Sequence, residues 1–387
     1  MCRQGFAQGL KASRFSSTSS APDTVGPMLR FENELPRLPV PTLQETCDKY
    51  LKSLRPLCTE AEMEKSEQAV QEFLKPGGVG EELQRRLLAR AQDPKITNWL
   101  QEWWDELAYF GYRDPVVVYV SYFFAFNDDR ARSSPAARAA AITTAAMKFR
   151  ELVVNYELQP EYAKSEPLSM DSYKWMFNAC RYPKKPSDFE AAFDPSSNNH
   201  VAVMRKNKFY TFDLIHDGKR LSTAEIEEQY KRIIDAAGQS KGVAIGSLTA
   251  DNRDIWTDNR AKLINAGPKN AKLLNIIESA VFVVCLDDAT PVTVDELSHA
   301  CWVGDGRNRF YDKSLQFLVF DNGKAGFLGE VRILVTPCGG CNSVIMKLTH
   351  FISTPAWTER RPAASTITFA HSLRPTRSIT ATPSRDR

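Results

Sequence analysis

The run Arg309–Glu330, RFYDKSLQFLVFDNGKAGFLGE, carries most of what the sequence says about the fold. Charge comes first, at Arg309, Asp312 and Lys313. Leu315–Phe320 follows as a near-continuous apolar stretch, the composition of a strand buried on both faces. Asn322-Gly323 then breaks the run, which closes on Glu330 with Val331 next. Arg309, Asp312 and Lys313 are expected to be structural, holding through ion pairs the strand that presents position 331.

Outward from this run, Val281–Leu286 is a second short apolar strand of the same kind. His200–Met204 and Lys208–Asp213 alternate around Lys206-Asn207, as the arms of a hairpin do. Ser222-x-x-Glu225 is a capping box and predicts a helix over 222–236. Thr249 is expected to cap another helix running to Ile264. Upstream, apolar residues recur at three- and four-residue spacing over 43–57, 60–73, 81–91 and 99–109, which predicts helices. Pro76-Gly77-Gly78 ends the second of these. Val116–Phe126 is β-branched and aromatic, the pattern of buried extended structure. Ser134–Asn155 is Ala-rich with Pro135 in its first turn, which predicts a long helix. The order implies an α/β fold, a mixed β-sheet flanked by helices and preceded by a helical region.

Five blocks in order resemble the choline/carnitine acyltransferase family. Leu35–Leu43 with Glu45-Thr46 and Tyr50 is similar to its first signature, with Cys47 where an aliphatic residue is usual. Trp103-Trp104, Tyr109 and Tyr112–Pro115 form the next block. Met170–Tyr173, Phe177-Asn178 and Arg181–Pro183 form another, and Gly246–Thr249 with Arg253-Asp254, Trp256 and Arg260 a further one. Arg309–Glu330 is the last and resembles the second signature. The blocks cover the amino-terminal half of a family member, about residues 35–330. The resemblance implies a fold like that of chloramphenicol acetyltransferase. It also implies reversible acyl transfer between coenzyme A and carnitine, with an acetyl group as the expected cargo and choline as the alternative acceptor. Coenzyme A and its acyl ester are then co-substrates, and no bound cofactor or metal is implied.

In the family the catalytic histidine directly follows the glutamate equivalent to Glu330. Here that position is Val331. Acyl transfer to a hydroxyl needs a base to take its proton, and imidazole suits because its pKa lies near neutral pH. Valine accepts no proton, so the chain as written is expected to be inactive, and a non-catalytic remnant is the alternative function. The five histidines, His200, His216, His299, His350 and His371, are expected to be structural or solvated. Trp104 and Tyr109 resemble residues lining the carnitine pocket, where a quaternary ammonium favours aromatic rings. Trp103 and Phe110 are expected to be core.

Composition bounds the rest. A net charge of +3 gives no case for a nucleic-acid partner. No apolar run approaches the roughly 20 residues of a membrane span. The eight cysteines show no framework spacing and read as reduced thiols. Cys338–Cys341 has CxxC spacing without a second pair, so no metal site is expected there. Before Asp23 the only charges are Arg3, Lys11 and Arg14, set among serines. That composition predicts a disordered mitochondrial transit leader over 1–30, with a cytoplasmic or peroxisomal location as the alternative. The domain is expected to span 31–330. Residues 331–387 hold seven arginines and one lysine against Glu359 and Asp386, crowded with Ser, Thr and Pro. They are expected to form a disordered tail. The break falls inside a motif rather than at a linker, which points to a reading-frame change, a retained intron or a gene-model error.

Overall fold

A computed structural model describes residues 26–330. Its main sheet has six strands: β1 (Ser121–Ala125), β2 (His200–Arg205), β3 (Lys208–Asp213), β4 (Val283–Asp287), β5 (Leu315–Phe320) and β6 (Ala325–Glu330). Their order is β1-β6-β5-β4-β2-β3. Strand β4 runs parallel to β5 and β2, and the other pairs are antiparallel. The helices are α1 (Leu43–Leu54), α2 (Glu60–Phe73), α3 (Val79–Gln92), α4 (Pro135–Val154), α5 (Thr223–Ala237), α6 (Arg253–Asn265), α7 (Asn270–Ser279) and α8 (Val294–Trp302). The expected mixed sheet flanked by helices, with a helical region ahead of it, is what the chain forms.

The strand pleat divides the apolar residues between two cores. Val201, Val203, Val284, Leu286, Phe317, Val319 and Phe327 face α4 and α5. Ala202, Met204, Val283, Cys285, Leu318, Phe320 and Leu328 face the layer of α7 and α8. Successive side chains alternate between faces, so strands covered on both sides need apolar residues at every position. That is why β4 and β5 read as continuous apolar runs. The alanines of α4, among them Ala139, Ala140 and Ala146, are buried against the sheet.

Several boundaries follow directly from local chemistry. Ser222 and Glu225 close the capping box of α5. Lys206 and Asn207 both have positive φ, the geometry a two-residue hairpin turn requires. Helix α1 stops at Leu54, short of the predicted Leu57, because Pro56 has no N–H to continue the ladder.

Other expectations are corrected. Val116–Tyr119 is one helical turn rather than a strand, and only Ser121–Ala125 is extended. Pro115 sits at the N-cap and sets the turn, and β1 is an edge strand, so its residues are half-buried. The stretch 99–109 is an α-turn, Gln101–Trp103, running into a π-helical segment, Trp104–Phe110. Thr249 caps no helix. Its hydroxyl bonds Gly246 O at 2.6 Å and accepts Tyr311 N at 2.9 Å, while Asn252 caps α6. The predicted leader, 1–30, ends within the described residues. Pro27–Leu29 forms a 3-10 turn, and Met28 is buried with its N–H on Tyr156 O at 3.1 Å. Residues 1–25 and 331–387 lie outside the described residues, and with them the rest of the predicted leader, Val331, His350, His371, the cysteine pair and the predicted tail.

Candidate active site

Three of the five motif blocks converge on one buried carboxylate. Asp188, just ahead of the short strand Phe189–Ala192, receives three arginines from three different segments. Arg181 Nε lies 2.8 Å from its Oδ2, Arg253 Nε 2.7 Å from the same oxygen, and Arg113 Nη1 2.9 Å from Oδ1. The Asp188 side chain has no solvent exposure. Arg253 Nη1 also lies 2.7 Å from Asp312 Oδ1, without the direction of a hydrogen bond, so that contact is ionic. Trp256 Nε1 donates to Asp312 Oδ2 at 2.7 Å. Arg113 Nε reaches Asp254 at 3.0 Å. Gly246 abuts the Arg309 carbonyl so closely that a Cβ there would collide with it, which ties that block to the last one.

Arg181 carries this cluster to the end of the sheet. Its Nη1 lies 3.1 Å from Glu330 Oε1, and its Nη2 donates to Tyr109 O at 3.2 Å. The guanidinium also stands over the Tyr109 ring, 4.8 Å from the centroid. Glu330 N bonds Ser314 O, and Ser121 stands opposite Glu330 on β1. The residue before position 331 is therefore fixed by side chain and main chain together.

The electrostatics separate the two aspartates. Burial raises the Asp188 pKa, but the charges of Arg253 and Arg181 more than offset it and hold the carboxyl below its ordinary value. For Asp312 burial wins over the Arg253 charge, and its pKa is raised. Burial and the like charge of Arg253 lower the Arg181 pKa, but a guanidinium starts so high that it stays charged.

The predicted supporting residues divide. Arg309 makes a two-pronged pair with Asp287, at 2.9 and 2.8 Å, and Asp312 pairs with Arg253. Lys313 corrects the ion-pair expectation. Its ammonium is fully buried and donates to the Glu278 main-chain carbonyl at 2.7 Å, a neutral partner. Burial pushes the Lys313 pKa down to about 8. The sign follows from linkage. Between about pH 8 and 10.5 the unfolded chain holds this proton and the folded chain does not, so stability rises with pH across that window. Lys313→Met is expected to remove that rise, roughly 3 kcal/mol at most, in urea unfolding series at pH 7.5 and 10.5. An unchanged slope in the variant would show that another group titrates there.

The aromatic residues also divide. Tyr109 is buried, and its hydroxyl has no partner among the described residues. Phe110 is buried as expected, 4.9 Å from the Tyr109 ring. Trp104 is 52% exposed. Trp103 is not core: it is 41% exposed and packs under Arg90 and beside Trp99, because the residues around it belong to the helical layer. Asp188 was missed by sequence reasoning, and only its nearness to Arg181 in the hairpin Ala179–Ala192 hints at it.

No described histidine reaches the end of β6. His200 Nε2 bonds Ile276 O at 2.7 Å at the same end of the sheet, three strands away. Three strand spacings amount to roughly 14 Å. His216 is exposed beside Asp217, and His299 is exposed on α8. Among the described residues no group of His, Cys, Asp or Glu is arranged to hold a metal ion. None of their helices is long and apolar enough to cross a membrane.

The sequence profile of Choline/Carnitine o-acyltransferase matches residues 38–335. The chain belongs to the choline/carnitine acyltransferase family. The match runs a little past Glu330, where the motif comparison stops. The mitochondrial carnitine O-acetyltransferase of Saccharomyces cerevisiae is 39% identical over 80% of this chain and 47% of its own length. The carnitine O-acetyltransferase of Rattus norvegicus is 33% identical over 81% of this chain and 52% of its own. The mitochondrial carnitine O-palmitoyltransferase 2 of Macaca fascicularis is 32% identical over 78% and 50%. The chain spans about half the length of these curated acyltransferase relatives.

Proposed function

We propose that this chain is the amino-terminal half of a carnitine O-acyltransferase, most like the acetyl-transferring members, and that by itself it does not turn over. Coenzyme A and its acyl ester are the co-substrates, not bound cofactors. The single observation behind this is the pairing of a well-anchored Glu330 with a valine after it. Arg181 holds Glu330 at 3.1 Å from inside a buried ion cluster. Such a cluster is worth maintaining where the next residue must be aimed. Valine at that point has no group to take a proton from the hydroxyl of carnitine or the thiol of coenzyme A.

Tyr109 is the described residue best placed to meet a substrate, since its ring and carbonyl share Arg181 with Glu330. Trp104 joins it only if a ligand or another surface covers the exposed indole. Carnitine is preferred over choline because the relatives named above are carnitine enzymes. A mitochondrial location is supported by the basic, Ser-rich start of the sequence and by two relatives named as mitochondrial. Val331 supports the second reading, a non-catalytic member that keeps the fold.

A thiol-release assay with acetyl-coenzyme A and carnitine tests the proposal. The 387-residue chain is expected to show no turnover above the buffer rate. Turnover would show that another group serves as base, and the assignment of position 331 would fail.

A further inference from the structure

The loop between β1 and α4, residues 126–134, ends in Arg130-Ala131-Arg132-Ser133-Ser134, and Pro135 opens the helix. None of these residues belongs to the Asp188 cluster. Ser134 is the N-cap of α4, its Oγ accepting Ala137 N at 3.2 Å. Arg130, Ser133 and Ser134 are exposed. Arg132 Nη1 lies 2.6 Å and Arg138 Nη1 3.1 Å from the same oxygen, Asp129 Oδ2. Arg138 stands one turn into α4 and leans back over the helix start, as helical side chains do, so that its Nη2 donates to Asn127 O at 2.8 Å. It is only 7% exposed, yet its Nε has no partner among the described residues. Lys324 Nζ lies 3.5 Å from Asp128. Four cations, Arg130, Arg132, Arg138 and Lys324, thus share two carboxylates, Asp128 and Asp129, while Asp321 of the neighbouring turn is taken by Arg205. Two positive charges are left over at a point where the helix dipole is itself positive. A neutral cap hydroxyl uses none of that charge.

We propose that Ser134 is a phosphorylation site, its phosphate held by Arg132, Arg138 and the first N–H groups of α4. A phosphomonoester carries about −1.5 to −2 charge near neutral pH, which matches the surplus. Pro135 has no N–H, so Ala136 N and Ala137 N are the helix donors open to the phosphate oxygens. Asp129 holds two guanidinium groups on one oxygen and can release one of them. In the transfer the Ser134 hydroxyl oxygen bonds the γ-phosphorus of a nucleoside triphosphate. The bond to the nucleoside diphosphate breaks, and the hydroxyl proton passes to the base of the kinase. Ser134 rather than Ser133 carries the group because Pro135 follows it, the residue a proline-directed kinase requires. The consequence reaches the sheet. Ser133 O packs on Gly323 so closely that a Cβ there would collide with it, and Gly323 turns the chain from β5 into β6. Tightening the loop therefore steadies the turn that leads to Glu330.

The first arm of the test treats the folded 387-residue chain with ATP and a proline-directed kinase and maps phosphate by tandem mass spectrometry. Phosphate on Ser134 is expected, retained in Ser133→Ala and absent from Ser134→Ala. Phosphate on Ser133 alone, or none at Ser134, would overturn the assignment. The second arm installs phosphoserine at position 134 during translation and so needs no kinase. A higher urea midpoint than that of the unmodified chain is expected. Most of the gain should vanish in roughly 1 M salt, where charges are screened beyond about 3 Å, and in Arg132→Gln. An unchanged or lower midpoint would overturn the proposal, as would a gain indifferent to both salt and Arg132→Gln. Neither arm reads acyl transfer, so both stand apart from the catalytic proposal.

Discussion

Replacing Asp188 by alanine is expected to destabilise the fold by about 3 to 5 kcal/mol, the range for breaking a buried ion pair from one side. Asp188 is the shared partner of Arg113, Arg181 and Arg253, and its side chain has no exposure. Arg181 and Arg253 are themselves almost wholly buried, at 2% and 0%. Without the carboxylate, two guanidinium charges stay out of water with one fewer anion between them, and neither can lose its proton. The wild-type cluster as a whole is not a large net gain, since desolvating each ion offsets much of the attraction. The loss comes from leaving its partners behind.

The pH dependence separates Asp188 from its neighbour. A carboxyl held below its unfolded value contributes stability that is present above about pH 4 and lost as pH falls through the folded pKa. Asp312 is raised, so it acts in the opposite direction and favours the fold as it takes up a proton. Asp188→Ala should therefore flatten the acid limb of the stability profile. Asp312→Asn, which imitates the protonated form, should cost less than Asp188→Ala at pH 7. Urea midpoints by circular dichroism from pH 3 to 7 check both. A loss under about 1 kcal/mol for Asp188→Ala, the size of an exposed pair, would show that the arginines reach solvent or re-pair.

The cluster also explains what the sequence exposed and what it concealed. Strands β4 and β5 were legible because burial on both faces leaves a continuous apolar run. The hairpin β2–β3 was legible because alternation and the Lys206-Asn207 turn agree. The Trp turn was not, because periodicity marks a helical face but cannot tell α from π winding over two turns. Val116–Tyr119 was misassigned for a related reason: β-branched residues favour strands through packing, and here Pro115 and an edge position override that preference. Asp188 carried no signal beyond its nearness to Arg181. It sits in a polar stretch between Pro186 and Phe189, and its importance comes from meeting two arginines distant in the chain, Arg113 and Arg253, as well as the nearby Arg181. The motif blocks named all three of those arginines without saying what they do. Their common partner appears only once the segments are brought together. Trp104 and Tyr109 came as a pair from the family resemblance, yet only Tyr109 touches the cluster.

Val331→His by itself is expected to leave acyl transfer undetectable in the thiol-release assay. A positioned general base is worth roughly 100- to 10,000-fold. Holding two reactants together in the right geometry supplies roughly 7 to 11 kcal/mol of a barrier, several orders of magnitude more. The chain spans about half the length of the acyltransferases it matches, and the described half offers few groups that converge on Glu330 from the substrate side. Tyr109 is one, with its unpartnered hydroxyl, and Arg181 is turned inward to Asp188 and Glu330. Restoring imidazole thus returns the smaller contribution to a site that does not yet bring coenzyme A and carnitine into contact. Three proteins decide the matter: this chain, its Val331→His variant, and the variant co-expressed with the unmatched part of the Saccharomyces cerevisiae relative. Turnover by the second would mean that this chain holds both substrates unaided, and the division of labour between base and positioning would be reversed. Turnover confined to the third, lost again on Tyr109→Phe through a raised KM for carnitine, would place the missing contribution in positioning and the tyrosine hydroxyl on the acceptor.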